Sequence, residues 1–78
     1  MLVRVVTKNG LALEKQVGTV FLPSVQGVME VLPGHTGAVV LLSEGRVLHD
    51  GSSLRIAGGV AKVLDDEVLI LAEIKQLN

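Results

Sequence analysis

Residues 46–72 read RVLHDGSSLRIAGGVAKVLDDEVLILA, which is two hairpins in succession. Arg46-Val47-Leu48-His49 and Ser52-Ser53-Leu54-Arg55-Ile56-Ala57 flank Asp50-Gly51, a dipeptide that accepts the positive φ of a two-residue hairpin turn. Gly59-Val60-Ala61-Lys62-Val63-Leu64 and Glu67-Val68-Leu69-Ile70-Leu71-Ala72 flank Asp65-Asp66 in the same way. Gly58-Gly59, between the two, is not followed by a helix, so it does not cradle phosphate as a nucleotide loop does. The glycine pair is read as a bulge or sharp bend where a side chain would clash.

The pattern continues upstream. Val3-Arg4-Val5-Val6-Thr7 and Leu11-Ala12-Leu13-Glu14-Lys15-Gln16-Val17 flank Lys8-Asn9-Gly10, where Asn and Gly tolerate positive φ. Leu11, Leu13 and Val17 alternate with Ala12, Glu14 and Gln16, which gives this strand a wet face. Thr19-Val20-Phe21-Leu22 begins another strand, and Pro23, with no N–H to donate, is expected to end its ladder. Valine dominates the apolar set and is stiff at its β-carbon, which favours strands. Turn signals at this spacing leave almost no room for a helix. They predict an all-β fold, a small antiparallel β-sandwich of about ten short strands, as a single domain over residues 1–78.

Composition points to a partner. The chain has 78 residues, 49% of them apolar, and a mean hydropathy of +0.57. A domain this small buries only about 60% of the surface its unfolded chain exposes, so there is more apolar side chain than one core easily hides. Ala38-Val39-Val40-Leu41-Leu42 and Val68-Leu69-Ile70-Leu71 are apolar on both faces. Such strands lie centrally, under a loop, or against another chain.

Several chemistries are excluded. Seven basic and eight acidic residues give no electrostatic footprint for nucleic acid, and a single Phe gives no stacking platform. No apolar run is longer than that from Ala38 to Leu42, which is far short of a membrane span, and the start has no signal-peptide layout. An intracellular protein with no direct membrane insertion is expected. There is no cysteine, and His35 and His49 lack companions for a metal set. Ser52-Ser53 has no adjacent base, and Asp65-Asp66-Glu67 reads as a solvated turn. The expectation is a protein that is not an enzyme by itself, with no catalytic residues, metal, cofactor or small-molecule substrate.

The stretch from Phe21 to Gly37 stands apart. Leu22-Pro23 opens it and Leu32-Pro33-Gly34-His35 closes it, with one short strand between. Two prolines beside paired glycines suggest a rigid projecting loop, with Pro33 and Gly34 as structural turn residues. This pattern, then an apolar strand, then Ile56-Ala57-Gly58-Gly59-Val60-Ala61-Lys62-Val63 and Val68-Leu69-Ile70-Leu71-Ala72-Glu73, resembles the epsilon subunit family of F-type ATP synthases, called delta in mitochondria. The likeness runs from Val3 to Glu73.

The resemblance implies a non-catalytic rotor subunit of the central stalk. It would link the gamma subunit to the c-ring and couple proton or sodium flow to ATP synthesis, peripherally at the cytoplasmic face of the bacterial inner membrane. By the same resemblance, Thr7, His35, Val40 and Leu42 match positions towards gamma, although Val40 equally suits the core. Ser24, Val25, Gln26, Gly27 and Val28 match the c-ring contact loop, to which Glu30 is added. The family usually has Gly where Ser24 stands, an acid where Val28 stands, Gly at Glu30 and Ala-Pro at Thr36-Gly37. Glu30 is read as the displaced acidic contact, two positions along the same face. Many relatives continue into an inhibitory helical hairpin. A chain ending at Asn78 is expected to couple without self-inhibition or ATP sensing. The alternative reading is a self-associating β-sandwich interaction module unrelated to the synthase.

Overall fold

The computed structural model describes residues 1–34 and 37–75. It is all-β, with strands β1 (Leu2–Thr7), β2 (Gly10–Gln16), β3 (Val20–Ser24), β4 (Gly27–Val31), β5 (Ala38–Leu42), β6 (Gly45–His49), β7 (Ser52–Leu64) and β8 (Glu67–Ile74). Among the described residues no helix is long and apolar enough to cross a membrane. Among the described residues the strands number eight, fewer than the sequence suggests, because Ser52–Leu64 is a single strand of 13 residues running through Gly58-Gly59.

That long strand makes the sandwich. Its first part, Ser52 to Ile56, pairs with β6, and its second, Gly59 to Val63, pairs with β5. The register against β8 shifts between Ile56 and Gly59, so the glycine pair is a β-bulge that bends the strand from one layer into the other. A side chain at Gly59 would collide with the Leu71 carbonyl oxygen and lie 2.8 Å from the Ala72 Cα. The hydrogen-bonded order is β2-β1-β8-β7-β5-β3-β4, with β6 bridging β3 and β7. One layer is therefore β2-β1-β8-β7-β5, and the other is β4-β3-β6 with the start of β7.

Alternation fills the space between the layers. Val3 and Val5, Val20 and Leu22, Val47, Ile56, Ala61 and Val63, and Val68 and Ile70 all point inward and are buried. Each such Val, Leu or Ile contributes about 1.5–3 kcal/mol on burial, so a period-two pattern commits its strand to one face.

The structure corrects three local expectations. The sheet is not wholly antiparallel, because β1 runs parallel to β8 from Leu2↔Glu67 to Val6↔Leu71. A strand does not end at Pro23, because β3 continues to Ser24. On one side of β3 the partner changes from β6, opposite Val20 and Phe21, to β5, opposite Ser24, and Pro23 sits in that gap where no N–H is needed. Its ring is accommodated because position 45 is glycine, where a Cβ would stand 2.8 Å from the Pro23 Cβ. Finally, Leu11 does not share a face with Leu13. The β1–β2 register jumps between Val5↔Leu13 and Val6↔Leu11, and this bulge turns Leu11 outward.

Candidate docking surfaces

The Phe21–Gly37 stretch begins as a tight hairpin, not as a projecting loop. β3 and β4 pair from Val20↔Val31 to Ser24↔Gly27, leaving Val25-Gln26 at the tip. The Ser24 hydroxyl donates to the Gly27 carbonyl at 2.6 Å and accepts from the Gln26 N–H at 3.1 Å. Gly27 takes φ of +119°, a region that disfavours a side chain. The tip is anchored sideways, with the Val25 N–H donating to the Leu41 carbonyl at 3.0 Å and the Ser43 N–H to that of Pro23 at 2.8 Å. A fixed hairpin thus presents exposed Val25, with Val28 beside it on β4, 75% exposed. Glu30 is exposed on the same face as Val28, since the two are two residues apart on one strand.

A second surface adjoins it. The pairs Leu41↔Val60, Val60↔Leu71, Leu71↔Val6 and Val6↔Leu11 place five aliphatic side chains in one row across β5, β7, β8, β1 and β2. The row faces outward, with Leu41 62%, Leu71 46% and Leu11 58% exposed, and it spans about 19 Å at the usual strand spacing. Val39, 72% exposed, lies beside it. A groove lined by Val25, Met29, Val39 and Leu41 joins the row to the hairpin tip.

The remaining predicted positions scatter. Val40 and Leu42 point into the core. The outward residues of β5 are Val39 and Leu41, so any partner on this strand meets those two. Thr7 is half-buried at the β1–β2 turn, where its hydroxyl accepts from the Asn9 N–H at 3.0 Å and donates to the Gly10 carbonyl at 3.3 Å. Pro33 and Gly34 form an exposed turn, with Gly34 at φ +81°. His35 lies outside the described residues. Val6, Leu11, Val39, Leu41, Val60 and Leu71 were not singled out from sequence, although the doubly apolar runs around residues 38–42 and 68–71 carried the signal.

Electrostatics in this region serve the fold. His49 is 6% exposed, and its Nδ1 lies 3.2 Å from the Lys15 Nζ, so the imidazole accepts from the ammonium. Burial first, and Lys15 second, lower its pKa, against a smaller opposing effect of Asp50. The Asp50 carboxylate accepts the Gly18 N–H at 3.1 Å and the Thr19 N–H at 3.4 Å, tying the β6–β7 turn to the β2–β3 connection. Among the described residues no group of three or more His, Cys, Asp or Glu side chains is placed to hold a metal ion.

Comparison with known proteins gives a consistent picture. Residues 1–76 match the family model described as the β-sandwich domain of the ATP synthase delta/epsilon chain. The chain is 38% identical to the ATP synthase epsilon chain of Halalkalibacterium halodurans over 96% of its own length and 59% of that protein's. It is 35% identical to the epsilon chain of Gloeobacter violaceus, over 97% of this chain and 61% of that one. The chain therefore spans about three-fifths of the length of these curated relatives. A chain in the cryo-EM structure of Euglena gracilis mitochondrial ATP synthase, OSCP/F1/c-ring, superposes with a TM-score of 0.77 at 27% identity, covering 94% of this chain and 51% of that one.

Proposed function

The chain belongs to the ATP synthase delta/epsilon family through its β-sandwich domain, and from that premise we propose that it is a non-catalytic rotor subunit linking gamma to the c-ring. The observation that carries this reading is the outward row Leu41–Val60–Leu71–Val6–Leu11. A solvated sheet face is normally polar, and a continuous aliphatic row over five strands is the kind of surface a permanent partner covers. Gamma occupies this row. The Val25-Gln26 hairpin tip, next to it at Leu41, meets the polar loops of the c-ring. One rigid body that touches both transmits rotation between them and needs no chemistry of its own. The protein is then peripheral to the membrane, on the face from which the central stalk projects. In assembly, Glu30 supplies the acidic contact one pleat further from the tip than Val28.

The experiment is co-purification with cognate gamma, for the native chain and for Leu71→Glu. Leu71 points outward, so the variant folds with unchanged far-UV circular dichroism. A one-to-one complex lost by Leu71→Glu supports the reading. A homo-oligomer indifferent to gamma overturns it in favour of the self-associating module. Charge reversal Glu30→Lys weakens rotor coupling in membrane vesicles, and unchanged coupling removes Glu30 from the contact.

A further inference from the structure

The face that bears the aliphatic row carries charge along one flank. There the ladder runs Val39↔Lys62, Lys62↔Leu69, Leu69↔Arg4 and Arg4↔Glu14. Arg4 is compensated, by Glu14 at 2.9 Å and Glu67 at 3.7 Å. Lys62 has no such relief. Its cross-strand neighbours are Val39 and Leu69, and its neighbours on the same face of β7 are Val60 and Leu64. An exposed ammonium thus rises from a ring of four aliphatic side chains, and among the described residues no carboxylate lies within 4.0 Å of it. Asp65 and Glu67 share a groove with it, but Glu67 is engaged by Arg4. The opposite flank carries both signs, since Lys8 and Glu73 line one groove.

We infer that Lys62 receives a carboxylate of gamma and thereby sets which way round gamma lies on the row. The inference rests on the reading that gamma occupies the row. A line of aliphatic side chains attracts a partner equally well in either direction, so the row supplies affinity without polarity. Lys62 stands one pleat from Val60, about 7 Å along the strand, so a body seated on Val60 and Leu71 reaches it. In the free subunit a lysine at such a place keeps its stem along the apolar surface and its head in water. Once gamma strips that water, an unpaired ammonium at the contact is costly, and a carboxylate beside it offsets the cost. In the reversed placement the same carboxylate meets Lys8 and Glu73 together, where attraction and repulsion oppose each other. The difference between the two placements is a source of specificity that the aliphatic row lacks. An anionic lipid surface fits this flank less well, because Asp65, Asp66 and Glu67 stand exposed at the adjoining β7–β8 turn.

The test is the affinity of the full chain for cognate gamma at low and high salt, read by isothermal titration calorimetry. Lys62→Glu is expected to weaken binding at least about tenfold, Lys62→Arg to preserve it, and Lys62→Met to weaken it while flattening its salt dependence. Reversal of one exposed Asp or Glu of gamma to Lys restores binding to Lys62→Glu and identifies the partner group. Lys62 is exposed, so all three variants keep the native far-UV circular dichroism. Lys62→Met that binds as tightly as the native chain, with unchanged salt dependence, overturns the inference, because the ammonium then stays in water. So does a Lys62→Glu loss that no gamma reversal restores. Leu71→Glu in the same series keeps the two readings apart: if it alone abolishes the complex, gamma occupies the row and only the Lys62 pairing falls. A native chain that forms no complex overturns both.

Discussion

The turns Thr7-Lys8-Asn9-Gly10 and Ser24-Val25-Gln26-Gly27 are built alike. Each has a hydroxyl at its first position that accepts from the third N–H and donates to the fourth carbonyl, and each ends in a glycine, at φ +107° and +119°. Their tips differ. One carries Lys8-Asn9, as an exposed turn ordinarily does, and the other exposes Val25 at 60%. Since the fold is served equally by both, the apolar tip is not a folding requirement, and this is what supports the contact proposed for it. Among the described residues, the second tip alone is also bonded onto a neighbouring strand, through Leu41.

The strongest challenge to that equivalence concerns what a glycine is for. At Gly10 and Gly27 nothing lies within 4 Å of the point a Cβ would occupy, whereas Gly59 is walled by β8. Gly59→Ala is expected to cost more than about 3 kcal/mol in urea unfolding, since backbone must move. A native midpoint would show that the bulge does not need its glycine. Gly10→Ala and Gly27→Ala each cost about 1–2 kcal/mol through φ strain alone, and a large inequality between them would show that the turns are not equivalent.

Exchanging the tips separates fold from contact. Val25→Lys with Gln26→Asn leaves stability within about 0.5 kcal/mol but reduces c-ring engagement about tenfold, measured by co-sedimentation with c-ring proteoliposomes. The reciprocal Lys8→Val with Asn9→Gln leaves engagement intact. Equal losses from both exchanges would remove the distinction. Smaller still are Thr7→Ala and Ser24→Ala, at about 0.5–1.5 kcal/mol each, with Ser24 the larger because its bond is 2.6 Å against 3.3 Å.

Acid distinguishes the strands that leave the two turns. β2 is held through Lys15 to His49, whereas β4 has no such tie to that residue. His49 titrates lower in the fold than in the unfolded chain, so the unfolded state binds the proton more readily. The contribution is intact above the ordinary histidine range, near 6.5, and is lost as pH falls from there towards the lowered folded value. Amide exchange in β2 should quicken over that window more than in β4, and Lys15→Met should reduce the response without abolishing it, since burial is the larger cause of the lowered pKa.

How much was legible follows from how local each signal was. Asp50-Gly51 and Asp65-Asp66 were readable because turn chemistry is local, and Asp50, Asp65 and Asp66 do adopt positive φ. Gly58-Gly59 was readable as a bulge for the same reason. Arg4 between Val3 and Val5 shows which residues of β1 face inward. Ala38–Leu42 contains no polar residue to mark its phase, so Val40 and Leu42 could not be told from Val39 and Leu41. Their facing is fixed by pairing with β7, which is distant in sequence. The outward turn of Leu11 depends on one register jump, and the place of Pro23 on a change of neighbour along β3.

The parallel pairing of β1 with β8 has a kinetic consequence. Leu2 meets Glu67, so β1 leaves the ribosome well before the strand it pairs with. Until then Val3 and Val5 have only β2 beside them, and one edge of β1 stays open to other chains. Closure of so long a loop slows folding and leaves the nascent sheet vulnerable to mispairing. The layer bearing the aliphatic row is therefore completed late, and a folding intermediate with β8 undocked does not yet have the continuous five-strand surface.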